Sequence, residues 1–177
     1  MAIQQQVDRL GTVIEQVRTD LGNAPEPPIV TFSASSSLVD EYRTEVRIRE
    51  FTLDVDEPPS IGGTDTGPTP VELVLGALGT CQEIVYATYA RVLGIPLDGV
   101  EITADGRVDL RGFFGVADVP AGFQDVTFTV DISSPAAPED VARLVKAVNA
   151  HCPVLDILKQ PVSVRSEARL NGQALEA

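Results

Sequence analysis

Positive charge is scarce in this chain: 13 Lys and Arg stand against 26 Asp and Glu in 177 residues, a formal net charge of -13. Binding phosphates takes clustered basic side chains that displace counterions, so this balance argues against a nucleic-acid partner. The start, MAIQQQVDRLGTVIEQVRTDLG, lacks both the basic opening and the apolar run of a signal peptide, which makes a cytoplasmic location the expectation. A membrane span is not expected either. The longest apolar run, residues 71–93, carries Glu72, Gln82, Glu83 and Arg91, each costly in hydrocarbon, and reads as a buried core helix. The glycines of SIGGTDTG lack the lysine and spacing of a phosphate-binding loop, so no nucleotide cofactor is indicated.

Cysteine and histidine are equally sparse. Cys81 and Cys152 are the only thiols and His151 the only imidazole. Two cysteines are too few for a zinc site unless His151 and a carboxylate join them, and in a reducing compartment they are not expected to form a permanent bridge. They are also too far apart for a CxxC motif. Inert core thiols and redox chemistry both remain open.

What is present suffices for one core: 44% of the residues are hydrophobic, and the length suits one domain with an appendage. Val7, Leu10, Val13, Ile14, Val17 and Leu21 recur at helical spacing, predicting an amphipathic helix that ends near Gly22. NAPEPP follows as a stiff linker, so residues 1–28 read as an N-terminal extension and 29–177 as the main domain. The extension either packs on a partner subunit or is a solvated leader. Strands are expected at IVTFSASS and EYRTEVRIREFTLDV. Within the second, the apolar phase changes from Val46 and Ile48 to Phe51, Leu53 and Val55, which suggests a bulge or bend near Glu50.

The loop DEPPSIGGTDTGPTP leads into a helix from about Pro70, with Thr69 as its cap, to just before Gly94. Strands follow at VEITADGRVDL and FQDVTFTVDIS, separated by the loop RGFFGVADVPAG. A second core helix is expected from Ser134 or Pro135, with Glu139 and Asp140 in its first turn and Pro153 ending it. PVSVRSEARL closes as a strand. Strands in runs between helices predict an α+β fold, with a largely antiparallel sheet on two core helices.

On the central helix the neighbours of Cys81 at helical spacing are Val74, Ala77, Leu78, Ile84, Val85 and Thr88, an apolar face that favours burial. Buried free cysteine is common as a small hydrophobe. Cys152 stands at the end of the other helix, where the electronegative terminus raises a thiol's pKa. As a pair, Cys81 is therefore the better nucleophile.

The segment DEPPSIGGTDTGPTPVELVLGALGTCQEI, with GRVDLRGFFG and HCPVLDIL, resembles the OsmC/Ohr family over about residues 40–170. Its most specific parts are Pro-x-Glu-Leu leading to Gly-x-Cys, and the later Cys-Pro-Val. The resemblance implies an intertwined homodimer with sites at the subunit interface. It also implies thiol-dependent reduction of organic hydroperoxides in peroxide stress defence, without a bound cofactor. Cys81 would attack the peroxide, Cys152 would form the disulfide, and an arginine and a glutamate would orient the thiolate. A dithiol would restore the pair.

A thiol of pKa about 8.5 is only about 3% ionised at pH 7, so lowering it gains up to roughly thirtyfold in reactive species. Cys81 lies within a helix and is expected to need a cation for this shift. Arg47 and Arg49, which share the parity of Phe51, Leu53 and Val55, are the candidates, with Arg43 a further one and solvated strand arginines the plain alternative. The family's glutamate position falls on Val71 here, and Glu72 follows it. An ideal helix places Glu72 opposite Cys81, with Glu83 on the same side as Glu72. His151 is expected to cap the helix end rather than act as a base. Phe113 and Phe114 read as core plugs or as an apolar entrance. The alternative to a peroxidase is a relative without that activity that holds a small hydrophobic ligand.

Overall fold

The computed structural model describes residues 2–175, with side chains from residue 9 onward. Met1, the side chain of Val7 and residues 176 and 177 lie outside what is described. Helix α1 spans Ala2–Gly22 and touches the central helix, although Leu10, Val13, Val17 and Leu21 stay largely exposed. The predicted helix thus contacts its own chain, while most of its apolar stripe is left exposed.

Three short strands follow, β1 (Ser35–Asp40), β2 (Arg43–Ile48) and β3 (Phe51–Val55), forming one antiparallel sheet in the order β1-β2-β3. Two expectations are corrected here. Residues 29–34 are not a strand, since no neighbour pairs with their backbone among the described residues. The change of phase near Glu50 is a two-residue hairpin turn rather than a bulge, because Ile48 pairs with Phe51 across Arg49 and Glu50. Arg49 takes φ +56 to make it, a conformation that side chains other than glycine seldom adopt. The turn also resets the parity on which Arg47 and Arg49 were placed with Phe51. Leu38, Val39, Ile48, Phe51 and Leu53 of this sheet are exposed, and only Val55 is buried.

The loop into the next helix is organised by Asp56. Its carboxylate accepts from the Glu57 N–H, and from the N–H and hydroxyl of both Thr64 and Thr66. These donors hold its acidity stronger than an ordinary carboxyl's, with the Thr64 hydroxyl foremost. One 3-10 turn, Pro59–Ile61, interrupts the expected irregularity.

Helix α2 runs Pro70–Val92 with Thr69 as its N-cap, as the sequence predicts. Strands β4 (Gly99–Val108) and β5 (Phe123–Ser133) pair antiparallel, with a one-turn helix α3 (Leu110–Phe113) between them. Helix α4 covers Pro138–His151, starting later than Ser134 or Pro135 because Ala137 occupies the cap position. Pro153 ends α4 and also opens a further helix, α5 (Pro153–Lys159). The closing strand shrinks to β6 (Ala168–Leu170), which pairs with β7 (Gln173–Leu175).

The fold is α+β, with antiparallel pairing throughout the described residues but in three separate sheets. Alternate residues Val100, Ile102 and Ala104 of β4, and Val126, Phe128, Val130 and Ile132 of β5, face one layer of helices. Against them pack Leu78, Val85, Tyr86 and Ala90 of α2, Leu144 and Val148 of α4, and Leu155 of α5. Burying an aliphatic side chain of this size contributes about 1.5–3 kcal/mol. Among the described residues no helix is long and apolar enough to cross a membrane.

Candidate active site

The two cysteines meet where α2 passes the joint between α4 and α5. Cys152 closes α4 and caps α5, with an extended backbone (φ -82, ψ 113) that turns the chain between them. Pro153 suits the first position of α5 because its ring presets the helical φ and it has no N–H to leave unsatisfied. The first free N–H of α5 is therefore that of Val154, and it favours the thiolate of Cys81. The Cys152 thiol also points at Cys81, with 3.4 Å between the sulfurs. Both thiols are free.

Cys152 is sealed in the core, whereas Cys81, expected to be buried, is partly exposed. Desolvation pushes the Cys81 thiol above its ordinary pKa, the Val154 N–H works in the opposite direction, and Cys152 adds to the rise. No guanidinium is among the groups acting on it. Its own helix offers Cys81 no N-terminus, but the start of α5 brings the Val154 N–H to bear on it.

The arginines are engaged within the first sheet. Arg43 is paired with Asp40 at 2.9 Å and lies 3.8 Å from Asp54. Arg47 is paired with Glu45. Arg49 lies 5.1 Å from the centre of the Phe51 ring. Glu72 forms a capping box at the start of α2: the Thr69 N–H donates to its carboxylate at 2.7 Å, while its own N–H donates to the Thr69 hydroxyl at 3.3 Å. The spacing in TPVE carries that signal. The neighbouring Glu57 carboxyl is raised, first by burial and then by Asp56 and Glu72. Glu83 borders a shallow cleft with Leu75, Gly79 and Ile102.

His151 stacks on Tyr89 of α2, ring centres 4.7 Å apart, and its Nδ1 lies 2.8 Å from the Ala147 carbonyl. A carbonyl only accepts, so Nδ1 carries the proton and the ring caps the last turn of α4. Phe113 and Phe114 meet edge to face, with ring centres 4.9 Å apart. Both are about half exposed, at 52% and 49%, and so do not plug the core.

One feature of α2 escaped the sequence. Gln82, next to Cys81, and Tyr86, one turn later, are both 0% exposed. Among the described residues, neither the Gln82 amide nor the Tyr86 hydroxyl has a hydrogen-bond partner. The only sign was an amide in a run read as a buried core helix.

A sequence profile described as "OsmC-like protein" matches residues 63–167, while no curated protein matches the chain. Among solved structures, an OsmC-like protein from Mycoplasma pneumoniae is similar at 16% identity, covering 75% of this chain and 89% of that one, with a TM-score of 0.64. An organic hydroperoxide resistance protein from Elizabethkingia anophelis, with thiocyanate bound, has 16% identity, 77% and 93% coverage and a TM-score of 0.60. An organic hydroperoxide resistance protein OsmC from Legionella pneumophila has 20% identity, 74% and 90% coverage and a TM-score of 0.58. At these identities the likeness establishes the shared fold.

Proposed function

The chain belongs to the OsmC-like protein family, and from that premise we propose that it is a thiol-dependent peroxidase that reduces organic hydroperoxides. A peroxide-stress role accords with the family. The observation that carries the reading is the 3.4 Å separation of the Cys81 and Cys152 sulfurs. A resolving thiol has to stand this near to trap the first oxidation product before further oxidation destroys it.

In the proposed cycle the Cys81 thiolate attacks the terminal oxygen of the hydroperoxide. The O–O bond breaks, the alkoxide takes a proton and leaves as an alcohol, and Cys81 becomes a sulfenic acid. Cys152 then attacks that sulfur, expelling the hydroxyl as water and forming a disulfide. An external dithiol gives two electrons and two protons through two exchange steps, ending as its own disulfide. Cys81 is the partly exposed member of the pair and the Val154 N–H favours its thiolate, which suits the attacking role. Cys152, buried beside it, suits the resolving one.

The remaining groups enter from a second copy in this reading. The exposed apolar residues of the β1-β2-β3 sheet favour a homodimer that covers them. The β2-β3 hairpin is then free to bring Arg47 or Arg49 to the thiol of the other subunit, replacing the cation each chain lacks at its own Cys81. Glu72, fixed by its capping box at the start of the same helix, is the proposed carboxylate of the set. Residues 1–28 are an extension to the peroxidase domain at 29–177, and the protein works in the cytoplasm, where dithiol reductants are available.

The test is turnover of tert-butyl hydroperoxide with dithiothreitol by purified protein. Steady consumption that vanishes in Cys81→Ser supports the reading. Absence of turnover, with both thiols still titratable after exposure to peroxide, rejects it.

A further inference from the structure

The cysteine pair also has a coordination chemistry, separate from any redox cycle. Its sulfurs stand 3.4 Å apart, and both thiols are free. Among the described residues no three His, Cys, Asp or Glu side chains are grouped so as to hold a metal ion. His151, next in sequence to Cys152, is committed to the Tyr89 ring and the Ala147 carbonyl. A centre bound here therefore has to be satisfied by two sulfurs alone.

Few thiol-seeking centres meet that condition at this spacing. Structural zinc takes four ligands, and iron–sulfur clusters take four as well. A linear two-coordinate ion holds its sulfurs about 4.6 Å apart, if its bonds have the length of zinc–sulfur bonds, so the packed helices would have to part to admit it. Trivalent arsenic is pyramidal, because a lone pair occupies its fourth direction, and two sulfurs bound to it lie side by side in near contact, as these two do. Arsenite offers three exchangeable positions and would keep a hydroxyl on one of them. A monosubstituted arsenical offers two, which matches the pair. Its third position belongs to carbon, and Cys81, the partly exposed sulfur, has an apolar border to receive that group. Val74 and Ile84 stand on its side of α2 and are 37% and 67% exposed.

We infer that Cys81 and Cys152 form a chelating site for monosubstituted trivalent arsenicals, with arsenic bridging the two sulfurs and its organic group against the apolar border of α2. Binding of an arsenoxide is a condensation. Two S–H bonds and the As=O bond break, two As–S bonds form, the oxygen leaves as water with both thiol protons, and arsenic stays trivalent. Neutral thiols suffice, so the upward push of burial on the Cys81 pKa is no obstacle. The site is the pair of the peroxidase reading, but it needs neither that reading's thiolate nor its second copy.

Phenylarsine oxide is the probe, added to the reduced full chain with no peroxide present. Intact-mass measurement should show one arsenic per chain, with both thiols lost to titration. Dithiothreitol should release it, whereas mercaptoethanol at the same thiol concentration should not. Closing a second bond within one molecule is worth about a hundredfold or more, so Cys81→Ser and Cys152→Ser should each bind at least that much more weakly. Cys81→Ser, at the partly exposed position, keeps the comparison valid if serine at the buried Cys152 unfolds the chain. Arsenite should bind more weakly than phenylarsine oxide. No adduct, an adduct held as tightly by one thiol as by two, equal binding of arsenite, or an arsenic that joins two chains would each overturn the inference. A chain that chelates the arsenical but turns over no hydroperoxide rejects the peroxidase reading alone, and the reverse result rejects this one alone.

Discussion

Cys152 ends one helix, caps the next, and holds its sulfur 3.4 Å from that of Cys81, which lies 71 residues earlier in the chain. Serine in place of Cys152 removes the resolving thiol and leaves the attacking one. Cys152→Ser is therefore expected to consume about one equivalent of hydroperoxide per chain, stop, and carry a sulfenic acid on Cys81 that dimedone traps. Mass spectrometry of the dimedone adduct checks this. Continued turnover at the wild-type rate would place the resolving group elsewhere.

The acidity of Cys81 separates the single chain from the proposed dimer. Within one chain, burial keeps this thiol above its ordinary pKa, so its thiolate would form only at alkaline pH. A guanidinium from a second copy should lower the midpoint by about one unit or more. The rate of iodoacetamide alkylation of Cys81 against pH gives the midpoint directly, with Cys152→Ser as background. Replacing Arg47 and Arg49 together by Met is expected to move that midpoint up and to slow peroxide reduction at pH 7. A profile that the double replacement leaves unchanged would remove both arginines from the site.

The Gln82 amide is fully buried, with no hydrogen-bond partner among the described residues. An unsatisfied buried polar group costs about 1–3 kcal/mol, and leucine has a similar volume without the polar atoms. Gln82→Leu should therefore raise the urea midpoint, with a gain of about 1–2 kcal/mol after allowing for imperfect repacking. A drop in stability would mean that an internal water or a partner group satisfies the amide.

Acid should act first on the loop that leads into α2. Asp56 is more acidic in the folded chain than an ordinary carboxyl, chiefly through the Thr64 hydroxyl. A depressed folded value means that its contribution is fully present above the unfolded value of about 3.9, and is lost as pH falls through that value toward the folded one. The melting temperature of the wild type should fall steeply below about pH 4. Asp56→Asn should melt several degrees lower at pH 7, with a flatter dependence on acid. Parallel curves for the two proteins would contradict this.

Much of the scaffold was legible because the signals were local. Thr69, Pro70 and the apolar run to Val92 define α2 by capping chemistry and periodicity alone, and strict alternation from Val126 to Ile132 defines β5. Residues 29–34 have the composition of a strand, but composition cannot supply the neighbour that a strand requires. The phase change at Glu50 was visible, yet a bulge and a two-residue turn leave the same trace until pairing is known. Pro153 was read as a stop because proline ends helices; in the first turn it also starts them, and α5 is too short to announce itself by periodicity. That one misreading hid the Val154 N–H at Cys81. Neither cysteine's spacing nor its neighbours could give the distance between two sulfurs on different helices, and the complete burial of the Gln82 amide is a result of tertiary packing that periodicity does not reveal.

A two-electron cycle at the cysteine pair is tested most directly by adding one equivalent of tert-butyl hydroperoxide to the reduced protein, then counting thiols and mapping the products by peptide mass spectrometry. The expected result is loss of both thiols in each chain, recovery of one tert-butanol, and a single Cys81–Cys152 disulfide that dithiothreitol reverses. Two intact thiols with the peroxide unconsumed, or a disulfide joining two chains through the same cysteine, would contradict it.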